Sequence, residues 1–237
     1  MMKNQQANKV IQYDLIYPNG DHCQYEIKII PETLEHPAPQ EAPPEWARLD
    51  YKKCSNCPLT SDKHPYCPLA LRVAPLFDFP IHAAYEDVSV KVKKDAVTIS
   101  ADTTVQEAYR SLVGLIMATS GCPHTAFFKP MAWFHLPFAD KEETMFRACA
   151  SFLLYQFFNP ADPDGGSYFS DLEAVYVNIH TVNQEIAKRL KAADATSSTL
   201  NAIVILDVFA ESILPKIRDS LKDLGFLFRA PQITQSG

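Results

Sequence analysis

The sequence predicts a mixed α+β protein, in which a small N-terminal β-hairpin region with a proline- and cysteine-rich metal-type loop precedes a C-terminal bundle of about four helices. Apolar and polar residues alternate in two stretches before residue 102, whereas apolar residues recur every three or four positions after residue 103. Between the two β stretches, residues 31–80 contain ten prolines and little periodicity. We therefore divide the chain into a β-containing region at 1–102 and a helical region at 103–237, which can together form one continuous domain.

Both β stretches have the pattern of a hairpin. Residues 9–17 and 23–29 alternate on either side of an Asn19-Gly20 turn, which is a strong short-range signal for paired strands. A second alternation covers residues 88–100, with Lys93-Lys94-Asp95 as its predicted turn. Because successive side chains of a strand point to opposite sides, each hairpin should bury one face.

Two helices are predicted in the first part of the helical region. The first runs from about 104 to 119 and opens with a capping box formed by Thr104 and Glu107. The second begins after Asp140 and runs to Phe158. Its sequence is apolar on nearly every side, so we expect it to be central.

The segment that joins these two helices, residues 122–138, carries three prolines and five aromatic residues. Its prolines argue against a regular element, and its aromatic side chains argue against a solvated loop. We expect the stretch from Phe127 to Phe138 to pack as a buried strap, although it could also present a partner or ligand surface.

Two more helices complete the predicted bundle. The third opens at Ser170 and continues with apolar residues at three- and four-residue spacing to Leu190. The fourth spans about 198–224, where Pro215 should kink it.

Composition excludes several function classes. With 22 Lys and Arg against 28 Asp and Glu, the chain is mildly acidic, which argues against a nucleic-acid partner. It has only seven glycines and neither of the glycine-rich phosphate-binding motifs. The polar start of the chain is not a signal peptide, and no stretch approaches the ~18 apolar residues of a membrane span. We expect a cytoplasmic protein with reduced thiols and no membrane partner.

Four of the six cysteines lie outside the predicted helices and strands. Cys54, Cys57 and Cys67 occur within one loop, together with His64, and Cys122 follows the end of the first helix. A Cys-x2-Cys turn projects two sulfurs to one point while backbone N–H groups face the thiolates, which is typical of metal-ligating loops. The loop therefore predicts one cysteine-ligated metal centre.

The identity of the metal is open at this stage. Cys54, Cys57, His64 and Cys67 would form a complete Cys3His zinc site. Three clustered cysteines plus the distant Cys122 would instead suit a 4Fe–4S cluster, and the prolines that follow Cys57, Cys67 and Cys122 also occur in ferredoxin-type sequences. The iron–sulfur cluster is slightly favoured.

The remaining two cysteines have ordinary structural positions. Cys23 falls on the apolar face of the first hairpin, and Cys149 lies one turn after Met145 on the second helix. Free cysteine behaves as a small hydrophobic residue when buried, so we expect both in the core.

No catalytic motif is present, so we favour a non-enzymatic binding or regulatory module, whose metal centre has a structural or redox-sensing role and whose partner is a protein or a small molecule. The alternative is a redox or electron-transfer enzyme with a substrate pocket in the bundle around Arg147, His180 and Asp207. A structural ion pair between Arg147 and Asp207, or exposure at the edge of the bundle, is the favoured interpretation of these two charges.

Overall fold

The computed structural model of the chain describes residues 7–78, 82–159 and 170–193, together with 203–204 and 206–207. Over these ranges the chain forms one four-stranded antiparallel sheet and five α-helices, which confirms the predicted mixed α+β class. No helix in this part of the chain has the length and apolar character needed to cross a bilayer.

The two predicted hairpins form and join into a single sheet. Its order is β2-β1-β3-β4, in which the central pair β1 and β3 is antiparallel, and the strands are β1 Lys9–Ile16, β2 His22–Ile29, β3 Asp87–Lys94 and β4 Val97–Thr104. Tyr13 of β1 lies opposite both Tyr25 of β2 and Val92 of β3. The alternating sequence explains the register, because a shift by one residue would turn the apolar side chains to solvent.

The helices lie between and after the two hairpins. They are α1 Pro68–Val73, α2 Val105–Ala118, α3 Lys129–Trp133, α4 Lys141–Phe158 and α5 Ser170–Ala192. Short 3-10 helices occupy Glu45–Ala47, Ala74–Asp78 and Pro123–Phe128. Helix α2 contacts β3, β4 and α1, and ten of its side chains are buried, so it forms the centre of the core.

Two predicted capping boxes have different outcomes. At α4, the Asp140 carboxylate accepts from the Glu143 N–H at 2.8 Å, and the Glu143 carboxylate accepts from the Asp140 N–H at 2.9 Å, as predicted. At α2 the prediction is wrong, because Thr104 makes no side-chain cap. The Glu107 carboxylate instead accepts from Arg110 Nε at 2.7 Å, one turn further along the helix.

The strap predicted at 122–138 is helical over much of its length, which corrects the expectation that it lacks regular structure. Pro123 and Pro130 fall in the first turns of the 3-10 helix and of α3. There the missing N–H of proline costs no intrahelical hydrogen bond. Burial is also incomplete, since Phe134 is 69% exposed.

The central position predicted for α4 is wrong. Only one narrow face is buried, by Met145, Ala148, Cys149 and Phe152, which form a small cluster with α5. Six large apolar side chains on other faces are exposed, namely Phe146, Leu153, Leu154, Tyr155, Phe157 and Phe158. A four-helix bundle is thus not confirmed, since α2 belongs to the core with the sheet and α4 to the small cluster.

Residues of both predicted regions share the main hydrophobic core. It includes Ile11 and Val90 of the sheet together with Val182, Ile186 and Leu190 of α5. The boundary at 102 and 103 stays a prediction. The fourth helix at 198–224 lies largely outside the described residues, of which 203–204 and 206–207 are helical.

Candidate metal centre

The three clustered cysteines are held by a loop that is ordered through backbone hydrogen bonds. The N–H of Cys57 donates to the carbonyl of Cys54 at 3.1 Å, which closes the turn between them. Cys67 immediately precedes α1, and its N–H donates to Ala47 O at 2.8 Å. Cys67 is buried, whereas Cys54 and Cys57 are partly buried. None of the six cysteines is in a disulfide.

The structure brings Cys122 to this loop. Burial is the largest of the effects that raise the pKa of Cys54 to about 12, and the nearby thiols of Cys67, Cys122 and Cys57 contribute to the same rise because a second thiolate would be repelled. Four sulfurs from three separate segments therefore lie within electrostatic range of one another.

Cys122 itself stands in a setting that combines burial with backbone donors. Burial raises its pKa to about 11, and the charges of Cys67 and Cys57 act in the same direction. The backbone N–H groups of His124 and Thr125 oppose this by hydrogen bonding to the thiolate. Backbone N–H groups aimed at a sulfur are the donors that a metal-bound thiolate uses.

Asn56, in the turn between Cys54 and Cys57, ties the loop to two other segments. Its carbonyl lies 2.7 Å from Nε2 of His124, two residues after Cys122. Its side-chain amide donates to Oδ1 of Asn178 on α5 at 3.1 Å. These bonds explain why residue 122 lies beside residues 54–57.

Arg189 of α5 is a buried cation that the sequence reasoning missed. It is 1% exposed, and its two terminal nitrogens donate to four backbone carbonyls just before Cys54, those of Trp46, Arg48, Leu49 and Lys52, at 2.6–3.2 Å. In the described part of the chain it has no carboxylate partner, and its Nε–H is buried without an acceptor. Its positive charge lowers the pKa of Cys54. The sequence feature that could have indicated its burial is its position next to Ile186 and Leu190, on an otherwise apolar stripe of the helix.

His64, the candidate zinc ligand, lies apart from this group. Its residue is exposed, and it is not among the charges that act on Cys54 or Cys122. The pKa of the nearby Asp62 carboxyl is lowered first by the Thr60 hydroxyl, then by backbone N–H groups, and also by the charge of His64.

The side chains of the cysteines are not gathered around one point. Among the described residues, no group of three or more His, Cys, Asp or Glu side chains is arranged so that it could hold a metal ion. The backbone brings the four cysteines near each other, and a shared ligand would require their side chains to turn inward.

The residues of the predicted pocket, Arg147, His180 and Asp207, do not line one common cavity. Arg147 lines a cavity between the helices, and its Nη2 donates to the carbonyls of Met131 at 2.7 Å and Phe134 at 3.1 Å. Asp207 accepts from His180 Nδ1 at 2.8 Å, and neither residue lines that cavity. The ion pair between Arg147 and Asp207, offered as the structural alternative, is therefore wrong.

Cys23 and Cys149 are both buried among apolar side chains, as predicted. Cys23 belongs to the main core, which also contains Cys67, whereas Cys149 lies in the small cluster, which contains none of the four loop cysteines. Cys149 is accordingly the suitable control position for experiments on the candidate centre.

Comparison with known proteins places the chain in a family without assigning a function. No curated protein and no solved structure matches it. One family model matches residues 11–229, which include every cysteine and every helix described above. The chain belongs to the family described as Domain of unknown function (DUF6901).

Proposed function

We propose that the protein binds one metal centre through Cys54, Cys57, Cys67 and Cys122, and that this centre is a 4Fe–4S cluster in preference to Zn2+. Its role is structural or redox-sensing, in a binding or regulatory module without catalytic activity of its own. The observation that carries the proposal is the approach of Cys122 to the loop that holds the other three cysteines.

The charge around the thiols supports an anionic centre. Four thiolates around either a cluster or a zinc ion carry a net negative charge, which is costly to bury without compensation. Arg189 provides a buried positive charge next to Cys54, and among the described residues no carboxylate neutralises it. Its side chain also retains a buried N–H donor at Nε.

The burial of the thiols favours binding of a cation, because a cation compensates the charge of a buried thiolate. The thiolate is the ligand, yet burial raises the pKa values of Cys54 and Cys122 to about 12 and about 11. A bound metal deprotonates its thiol ligands outright, because its own charge replaces that of the protons. Metal binding would thus replace buried, protonated thiols by thiolates whose charge the cation compensates.

The arrangement favours an all-cysteine ligand set over Cys3His. The segment of Cys122 approaches the loop, whereas His64 is exposed and is not among the charges that act on Cys54 or Cys122. Three clustered cysteines with one remote cysteine are frequent around iron–sulfur clusters, since the remote ligand fastens a second segment. A zinc site built from the local residues would require His64 to rotate inward.

A structural role follows from the composition of the loop. Residues 31–80 contain ten prolines, and the helices that form there, at Glu45–Ala47, Pro68–Val73 and Ala74–Asp78, are short. Metal binding can supply ~10 kcal/mol of folding free energy, which is enough to order such a segment. Through Cys122, the centre would also fasten the loop to the end of α2.

Anaerobic purification tests the proposal directly. We expect a brown protein with broad visible absorption, with iron and acid-labile sulfide in equal amounts and no stoichiometric zinc. Cys122→Ser should lose most of the colour and iron, while the matched control Cys149→Ser should keep both. A colourless protein with one zinc per chain would support the zinc alternative, and a protein without either metal under these conditions would overturn the proposal.

A redox or electron-transfer enzyme is the second candidate, and one contact favours it. Thr125 lines the helical cavity, and its hydroxyl donates to the carbonyl of Cys122 at 3.1 Å. A cluster at Cys122 would then lie one turn of 3-10 helix from a ligand pocket. Reversible bleaching by dithionite, accompanied by turnover of a bound molecule, would support an enzyme, whereas bleaching without turnover would support a sensor.

A further inference from the structure

A second site lies in the helical half, in a cavity whose described lining contains no cysteine. The cavity between α2, α3, α4 and α5 has a volume of about 170 Å³. An apolar cavity of similar size, ~150 Å³, binds benzene in an engineered protein. Most of the wall is apolar and includes Phe128, Met131 and Ile179, so the cavity can enclose a molecule about the size of one aromatic ring.

Two buried polar side chains line the cavity without partners. Asn183 is 1% exposed, and among the described residues neither its amide nitrogen nor its amide oxygen has a hydrogen-bond partner. The hydroxyl of Tyr176 is likewise buried and unpaired within these ranges. Buried polar groups are nearly always satisfied, and both residues lie on the same helix, α5. Together they offer donors and an acceptor to a ligand.

The charge of the cavity wall is positive. Arg110 and Arg147 line it, and no Asp or Glu is among its described lining residues. Arg110 is paired with Glu107, but Arg147 forms no ion pair in the described part of the chain. Burial lowers the pKa of Arg147 and the charge of Glu143, one turn earlier, raises it, so a carboxylate acts on this guanidinium without contacting it directly. A guanidinium without a direct ion pair in an apolar wall favours an anionic partner, with which it forms strong charge-assisted hydrogen bonds.

His135 shows that the positive field extends through the wall. Its pKa is lowered to about 3, chiefly by burial and in addition by the charges of Arg147 and Lys94. The imidazole is therefore neutral near pH 7, and Arg147 remains the charged group that a ligand would meet on this side.

We propose that this cavity binds a small apolar carboxylate with one aromatic ring or an aliphatic group of similar size. Its carboxylate would be held by Arg147 and by the free amide of Asn183 or the hydroxyl of Tyr176, while its apolar body contacts Phe128, Met131 and Ile179. This site is independent of the proposed metal centre, because none of the four cysteines lines the cavity.

Benzoate and its neutral isostere benzamide are the probes that separate charge from shape. We expect isothermal titration calorimetry on the full chain to give benzoate an affinity at least about tenfold higher than benzamide, because only the carboxylate pairs with the guanidinium. Equal affinities would contradict the proposed anion preference. Failure of both probes to bind at millimolar concentration would overturn the site and leave a cavity that holds only water.

Variants locate the effect within the protein. Arg147→Gln keeps a donor but removes the charge, so it should lower benzoate affinity at least about tenfold and leave benzamide unchanged. Lys141→Gln, an exposed position on the same helix outside the cavity wall, removes the same charge and should bind benzoate like the native chain. An equal loss in both variants would indicate a long-range charge effect and overturn the assignment to Arg147.

Asn183→Leu provides an independent test that does not require Arg147 to be changed. It replaces an unpaired buried amide by an apolar side chain of similar size, so the free protein should melt at a higher temperature while benzoate affinity falls several-fold. A higher melting temperature with unchanged benzoate affinity would show that Asn183 takes no part in binding. Unchanged benzoate binding in both Asn183→Leu and Arg147→Gln would overturn the proposal.

Discussion

Tyr13 connects the sheet to the helical half through its hydroxyl group. That oxygen lies 2.7 Å from Ser111 Oγ on α2 and 2.6 Å from Nε2 of His135, which follows α3. All three residues are buried, and the Ser111 hydroxyl also accepts from the Phe138 N–H at 3.2 Å. A single phenol on β1 therefore fixes two segments that are more than ninety residues distant in sequence.

His135 should make the folding stability dependent on pH. Its pKa falls from 6.5 to about 3 on folding, chiefly by burial, so between these values the unfolded chain binds the proton that the folded chain does not. Stability is therefore fully present above pH 6.5 and is lost as the pH falls toward 3, by ~1.4 kcal/mol per pH unit. Between pH 7 and pH 5 we expect this one residue to account for about 2 kcal/mol.

Urea unfolding of the native chain and of His135→Gln at both pH values measures this effect. The native chain should lose more free energy of unfolding on acidification than the variant, since glutamine keeps a polar group beside Tyr13 but does not titrate. Equal losses in the two proteins would show that His135 does not contribute.

Among the elements, α4 shows that a helix can begin where its local sequence predicts and still be less buried than its apolar composition suggests. Its capping box forms as predicted, because both partners lie within four residues of one another. Its burial does not follow from its apolar sequence, because burial depends on which elements are available to cover each face. Among the described residues, α5 and the segment around α3 cover its buried face, and Phe157 and Phe158 remain 76% and 73% exposed.

The two capping sites permit a matched comparison. Asp140→Ala removes a hydrogen bond to a helix N-terminal N–H and should lower the free energy of unfolding by ~1 kcal/mol. Thr104→Ala at the start of α2 should have a smaller effect, since the Thr104 side chain makes no capping bond. Chemical unfolding of both variants measures the loss in free energy of unfolding. Equal losses would show that the capping bond of Asp140 does not stabilise the protein.

At the scale of the whole molecule, α5 positions both candidate sites. Its C-terminal half holds Arg189 against the carbonyls that precede Cys54, and its middle carries Asn178, which binds Asn56 in the cysteine turn. The same helix presents Tyr176 and Asn183 to the cavity. One helix therefore links the cysteine loop to the cavity between the helices.

Replacing Arg189 should affect stability and metal content together. Arg189→Met leaves four backbone carbonyls without their donor, so we expect a loss of at least about 2 kcal/mol in the free energy of unfolding. The anaerobically purified variant should also contain less iron than the native chain. Lys188→Met, one position earlier and exposed, is the control and should change neither quantity. Full stability in Arg189→Met would contradict the anchoring role inferred for this side chain.

Local features were predictable because their causes lie within a few residues. The two hairpins follow from period-two alternation around short turns, the Asp140 cap from its spacing to Glu143, and the burial of Cys23 and Cys149 from their positions on apolar faces. The spacing of Cys54, Cys57 and Cys67 likewise needs no partner from elsewhere to suggest a metal. The errors at Thr104 and in the 122–138 strap arose where Arg110 competed for a carboxylate and where prolines fell at helix starts.

The other features of the fold and of the two sites depend on contacts between residues that are distant in sequence. Alternation predicts two hairpins, but only the pairing of β1 with β3 makes them one sheet. Spacing singles out three cysteines, but only the hydrogen bonds of Asn56 and the burial of Arg189 bring Cys122 and a positive charge to them. No local pattern marks Asn183 or Tyr176, because an unpaired polar group becomes informative only once the surrounding chain excludes water. The physical reason is common to all three cases. Periodicity and spacing depend only on the segment in which a residue lies, whereas burial and charge compensation depend on segments that meet only in the folded chain.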